Sequence, residues 1–113
     1  MDERESIDAT GDALGEGREA RAAPRVPVSL RVGFRKRGMT RADGELLDLS
    51  AQGFRIDTTC VLEPGMEVWL SLPGFEPRMA HVAWVEGFQA GCKFEMPFND
   101  YVLQSFLTRH GFV

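Results

Sequence analysis

The chain has 113 residues, 43% hydrophobic and 27% charged, with a net charge of −4: one domain at most, large enough to bury a core without disulfides. Its apolar runs fall short of the roughly 18 residues a membrane helix requires, and its acidic balance argues against a generic duplex-DNA binder. The opening Met1-Asp2-Glu3-Arg4-Glu5 is polar and acidic, unlike a secretory signal, so a cytoplasmic protein without membrane insertion is expected.

Residues 1–20 carry seven acids and two arginines, with Ile7 and Leu14 as their only sizeable aliphatics. Such a stretch buries too little to order itself and reads as a flexible acidic tail, leaving 21–113 as the folded domain. Residues 21–42 carry seven basic residues and no acid, whereas residues 43–113 carry ten acids and four bases. A basic segment inside an acidic protein suggests a small anion held at one place. For Arg35 to Arg41 a solvated strand face is the alternative.

Pro24 fixes its own φ and pushes Ala23 toward extended conformations, so Arg21 and Arg25 come off an irregular lead-in to a strand. Val26 to Phe34 alternates, with Val26, Val28, Leu30, Val32 and Phe34 on one face. Arg35 to Asp43 is a charged turn containing Gly38, and Asp43-Gly44 is a hairpin signal. Glu45 to Leu49 predicts a second strand, Ser50 to Gly53 a turn, and Phe54 to Cys60 a third strand with Phe54 and Ile56 inward. After the Glu63-Pro64-Gly65 turn, Met66, Val68, Leu70 and Leu72 mark a fourth strand. Glu76 to Glu86 predicts a fifth, with Ala80, Val82 and Trp84 sharing a face. Phe88, Ala90, Cys92, Phe94 and Met96 form the apolar face of a sixth.

Then the period changes. Asn99 is a helix N-cap, Asp100 suits the first turn, and Phe98 with Leu103 forms a hydrophobic staple. Val102, Leu103, Phe106 and Leu107 make the apolar stripe, and Gly111 ends the helix. The predicted fold is mainly all-β: a six-stranded antiparallel β-barrel with a C-terminal α-helix. Cys60 and Cys92 fall on strand-like runs and read as reduced core thiols. Neither they nor His81 and His110 have metal-ligand spacing, so no metal or other cofactor is expected.

Two stretches carry chemistry. Arg21-Ala22-Ala23-Pro24-Arg25 holds two guanidinium forks, suited to bidentate contact with phosphate or with O6 and N7 of guanine. Asp48-Leu49-Ser50-Ala51-Gln52-Gly53 holds a carboxylate that accepts from the N–H donors of guanine's Watson–Crick edge, and a hydroxyl that donates to phosphate or accepts from a base. Gly53 supplies a positive φ or lets a flat ligand approach the backbone. Read alone, Asp48 and Ser50 could equally be turn-stabilising groups. No Ser-His-Asp, Cys-His or paired-carboxylate arrangement stands out, so no enzyme is expected. No aromatic ladder accompanies the basic segment, which argues against a nucleic-acid partner.

Together the stretches resemble the motifs of the PilZ family, bacterial receptor domains for cyclic di-GMP. That family carries R-x-x-x-R before its first barrel strand, matched by Arg21 and Arg25, and D/N-x-S-x-x-G before a later strand, matched by Asp48, Ser50 and Gly53. The resemblance covers about residues 18–110. It implies a six-stranded barrel whose arginine-bearing loop closes over cyclic di-GMP, often as an intercalated pair. It further implies that Arg21 and Arg25 bind phosphates and guanine edges, that Asp48 and Ser50 bind guanine and nearby phosphate, and that Gly53 shapes the turn. Arg18, Arg55 and Trp84 are weaker candidates bordering the site. A monomer or weak homodimer is expected. It regulates an unidentified partner protein, in motility, biofilm or polysaccharide synthesis, or virulence. The alternative within the family is an adaptor of the type IV pilus kind that binds no nucleotide.

Overall fold

A computed structural model of the protein describes residues 25–113. The strands are β1 (Val26–Lys36), β2 (Ala42–Leu49), β3 (Gly53–Asp57), β4 (Glu67–Ser71), β5 (Arg78–Glu86) and β6 (Gln89–Phe94), and the helix α1 is Asp100–Arg109. All pairings are antiparallel. The order β1-β2-β3-β6-β5-β4 closes back on β1, so the six-stranded barrel has no free edge.

The alternation read from the sequence fills the interior. Val32, Phe34, Leu46, Leu49, Phe54, Ile56, Val68, Leu70, Ala80, Val82, Ala90, Cys92 and Phe94 are all buried. The Phe54 ring lies 5.3 Å from that of Phe94 and meets Phe34 edge-on at 6.5 Å. Burial pushes the Cys92 thiol up to about 12, so it stays protonated as a small apolar group. Cys60 and Cys92 are both free thiols.

The helix is bounded as its end residues dictate. The Asn99 side chain accepts from the N–H groups of Tyr101 and Val102. At the other end Gly111 adopts a φ of 78°. Its N–H donates to the Thr108 carbonyl and that of Phe112 to the Leu107 carbonyl, a Schellman closure. Leu103, Phe106 and Leu107 are buried, and a chain of edge contacts from Phe106 through Phe75 and Phe98 to Phe94 ties α1 to the barrel. Phe98 and Leu103, the expected staple, belong to one core. Val102 is exposed, because it sits at the margin of the stripe that Leu103, Phe106 and Leu107 define.

Several local readings need correction. Asp43-Gly44 is not the hairpin turn; it lies inside β2, opposite Gly33 and Val32. Gly44 faces inward, where a Cβ would stand 2.7 Å from Ile56 Cδ1, so its smallness serves packing. The turn falls at Gly38, which has a φ of 79°. The third strand stops at Asp57 rather than Cys60, because the Thr58 hydroxyl accepts from the Cys60 N–H and bends the chain. Phe88 and Met96 lie beyond the ends of β6 and are each 69% exposed, outside its apolar face.

Three register shifts interrupt the ladders: between Pro27 and Leu30, between Leu46 and Asp48, and between Val82 and Trp84. In β2 the extra residue is Leu47. Leu46 opposite Ile56 and Leu49 opposite Phe54 both point inward, while Asp48 pairs with Arg55 outside. Unbroken alternation from Leu46 would have turned Asp48 into the core. In β5 the extra residue is Ala83, and Trp84 comes to lie opposite Gly91 on the outer face. Trp84 therefore does not share the inward face of Ala80 and Val82, contrary to the sequence reading.

Candidate ligand-binding site

The bulges align one row of residues across the outside of the barrel. Pro27 on β1 stands opposite Asp48 on β2, Asp48 opposite Arg55 on β3, Arg55 opposite Gly91 on β6, and Gly91 opposite Trp84 on β5. Bulges commonly re-aim side chains beside functional sites, and here they bring a carboxylate, a guanidinium and an indole onto one surface.

Asp48 is the centre of the row, and its side chain is only 11% exposed. A carboxylate so placed needs partners, and each oxygen has one. Arg25 Nη1 donates to Oδ1 at 3.3 Å, and Arg55 Nε donates to Oδ2 at 2.9 Å. Arg55 Nη1 also donates to Gln89 Oε1 at 3.4 Å. The Arg25 side chain remains 57% exposed and that of Arg55 38% exposed, so both cations still face solvent.

Ser50 has a different environment. It is buried, and its hydroxyl accepts from the N–H groups of Gln52 and Gly53 while donating to the Gly53 carbonyl. The Ser50 N–H also donates to the Gly53 carbonyl at 2.9 Å. The hydroxyl is thus committed within its own turn. The turn is in turn pinned to the end of β6, since Phe94 and Phe98 donate to the Gln52 and Ala51 carbonyls.

Gly53 does not have the positive φ that was one expectation. Its missing side chain makes room for protein instead of ligand: a Cβ there would stand 2.1 Å from the Cys92 carbonyl oxygen. Close approach of β3 to β6 is what requires glycine. Gly91 is bare for another reason, because the Trp84 indole lies across it, with Nε1 2.1 Å from where a Cβ would be.

Of the residues singled out in the sequence, Arg25 and Arg55 both touch Asp48, Trp84 lies farther along the same row, and Ser50 and Gly53 build the adjoining turn. Arg21 and Arg18 lie outside the described residues. Gln89 was not anticipated. Alternation on β6 points it outward, but its contact with Arg55 follows from the strand register, which pairs Arg55 with Gly91 and leaves Gln89 as the diagonal neighbour.

The basic segment does not converge on this site as a whole. Arg35 stacks on Trp69 at 4.2 Å, and Arg37 pairs with Glu67 through Nε and Nη2. The Arg41 guanidinium covers Gly33. Arg35 is ten residues along an extended chain from Arg25, roughly 30 Å away. The solvated-face reading therefore describes Arg35, Arg37 and Arg41, and among the described residues of the segment Arg25 alone contacts Asp48. Nor does any group of three His, Cys, Asp or Glu side chains among the described residues form a metal-binding cluster. No helix among them is long and apolar enough to cross a membrane.

The family model described as "PilZ domain" matches residues 19–108. Among solved structures, the PilZ domain of CeSA from a cellulose-synthesizing bacterium is similar in fold, with a TM-score of 0.53 at 15% identity over 78% of this chain and 94% of that one. A search of curated proteins finds no match.

Proposed function

The chain belongs to the PilZ domain family, and on that premise we propose that it is a receptor for cyclic di-GMP that regulates a partner protein through a changed surface. One observation carries the reading: Asp48 is held on the outside of the barrel with an exposed arginine on each oxygen. That arrangement combines an acceptor for a guanine edge with cations for the phosphodiesters.

The roles divide by position. Arg25 and Arg21 bind phosphate and guanine edges, and Asp48 accepts from guanine N–H donors. Ser50 and Gly53 serve the ligand through the turn that aims Asp48, since the Ser50 hydroxyl is spent on Gln52 and Gly53. Trp84, packed over Gly91, borders the same row and supplies an indole on which a base can stack. A micromolar ligand needs about 8 kcal/mol, and each charge-assisted hydrogen bond contributes roughly 1.5–3 kcal/mol, so a handful of such contacts is enough.

The test is calorimetric titration of cyclic di-GMP into the purified protein at about 150 mM salt, where loose electrostatics are screened, with the double Arg21/Arg25→Ala variant as control. Saturable binding is expected, weakened at least tenfold in the variant by the loss of charge-assisted contacts. The stoichiometry reports whether the ligand enters singly or as a pair. A folded wild-type protein that takes up no ligand would leave the nucleotide-independent adaptor as the better reading.

A further inference from the structure

Asp48 is bonded by two arginines that are tied down very differently. Arg25 reaches Oδ1 through one contact at 3.3 Å, from a residue just before β1. Arg55 rises from the middle of β3 and is held at both ends, by Asp48 Oδ2 at 2.9 Å and by Gln89 Oε1 at 3.4 Å. Gly91 stands between Arg55 and Trp84 in the row, covered by the Trp84 indole, and Gln89 is its diagonal neighbour on the Arg55 side. A planar guanidinium anchored at two edges cannot swing without breaking both bonds.

This matters because of how a carboxylate recognises guanine. Its two oxygens offer about four acceptor positions. Arg25 and Arg55 take one on each oxygen, which leaves one on each for the parallel N1–H and 2-amino donors of a guanine. Both are met only if the carboxylate plane is fixed, and Asp48 alone is free to rotate about its side-chain bonds. We infer that Arg55, braced by Gln89, is a positioning residue that locks the Asp48 carboxylate in the plane that accepts both guanine donors, and so sets the selectivity for guanine. The inference rests on the receptor reading and adds to it the residue pair that decides which base is accepted.

Inosine is guanosine without the 2-amino group, so the inosine counterpart of cyclic di-GMP reports on the second of the two bonds. Calorimetric affinities for both ligands would be compared in the wild-type protein, Arg55→Ala, Gln89→Ala and Gln89→Glu. The wild type should prefer the guanine ligand by on the order of tenfold to a hundredfold, one charge-assisted hydrogen bond per base. Arg55→Ala and Gln89→Ala should each reduce that preference to about threefold or less, because the rotating carboxylate keeps only one bond. Gln89→Glu retains an acceptor for Arg55 Nη1 and should retain the preference. If Arg55→Ala or Gln89→Ala weakens both ligands equally and leaves the ratio at its wild-type value, Arg55 is a general support and the inference is wrong. Absence of binding by the wild-type protein is a separate result that removes the receptor reading, and the inference with it.

Discussion

Gly53 and Gly91 look alike by distance and differ in consequence. A Cβ at either would come within 2.1 Å of another atom, but at Gly53 that atom is the Cys92 backbone carbonyl and at Gly91 it is the tip of the Trp84 side chain. Backbone in a closed barrel can yield only by separating β3 from β6, whereas a partly exposed indole can turn away. Gly53→Ala should therefore lower stability by about 1–3 kcal/mol, and Gly91→Ala by much less. In thermal melts the first should fall by roughly 4–8 °C per kcal/mol and the second stay near wild type. Ligand affinity should instead drop in Gly91→Ala, through displacement of Trp84. Equal melts for the two variants would contradict this assignment of roles. The motif glycine is thus required by strand packing, and its place beside the candidate site follows from the turn it closes.

At the scale of elements, the helix and the site are separable. Asn99 caps α1 through two backbone N–H groups, while Asp48 and its arginines lie on β2, β3 and the lead-in to β1. Asn99→Ala should cost about 1 kcal/mol of stability and leave cyclic di-GMP affinity unchanged, checked by a urea melt beside a titration. An affinity change greater than threefold would mean that α1 communicates with the site. The elements also mark how far the sequence could be read. Strand alternation, the Asn99 cap and the Gly111 stop are local signals, and each appears where local chemistry places it. The bulges at Leu47 and Ala83 are not local: an extra residue is defined only against a partner strand. Trp84 was accordingly expected inside with Val82, and Arg55 had no visible partner until β2 and β6 were set beside β3. For the same reason Asp48 and Arg25 were legible as motif residues, while Gln89 was not. Ser50 was legible both as a ligand and as a turn residue, and its hydrogen bonds favour the turn.

For the whole molecule, the barrel separates its stability from its chemistry. The core is the inward face of six strands, and the candidate site is a row on the outward face of five of them. The two share strands but not side chains, so on the receptor reading a ligand would add its binding free energy to a core it does not touch. At a free ligand concentration of 100 times Kd the added stability is about 2.7 kcal/mol. For a domain of this size that raises the thermal midpoint on the order of 10–20 °C. At the same ligand concentration a tenfold weaker Arg25→Ala should lose about half of the rise, while its ligand-free midpoint stays within a degree or two of wild type, because Arg25 is exposed and Asp48 keeps Arg55 as partner. The pairing of these results separates the two readings of the fold. A receptor shows a ligand-dependent midpoint that one exposed arginine controls. A barrel that serves only as a protein adaptor shows the same midpoint at every ligand concentration, with and without Arg25.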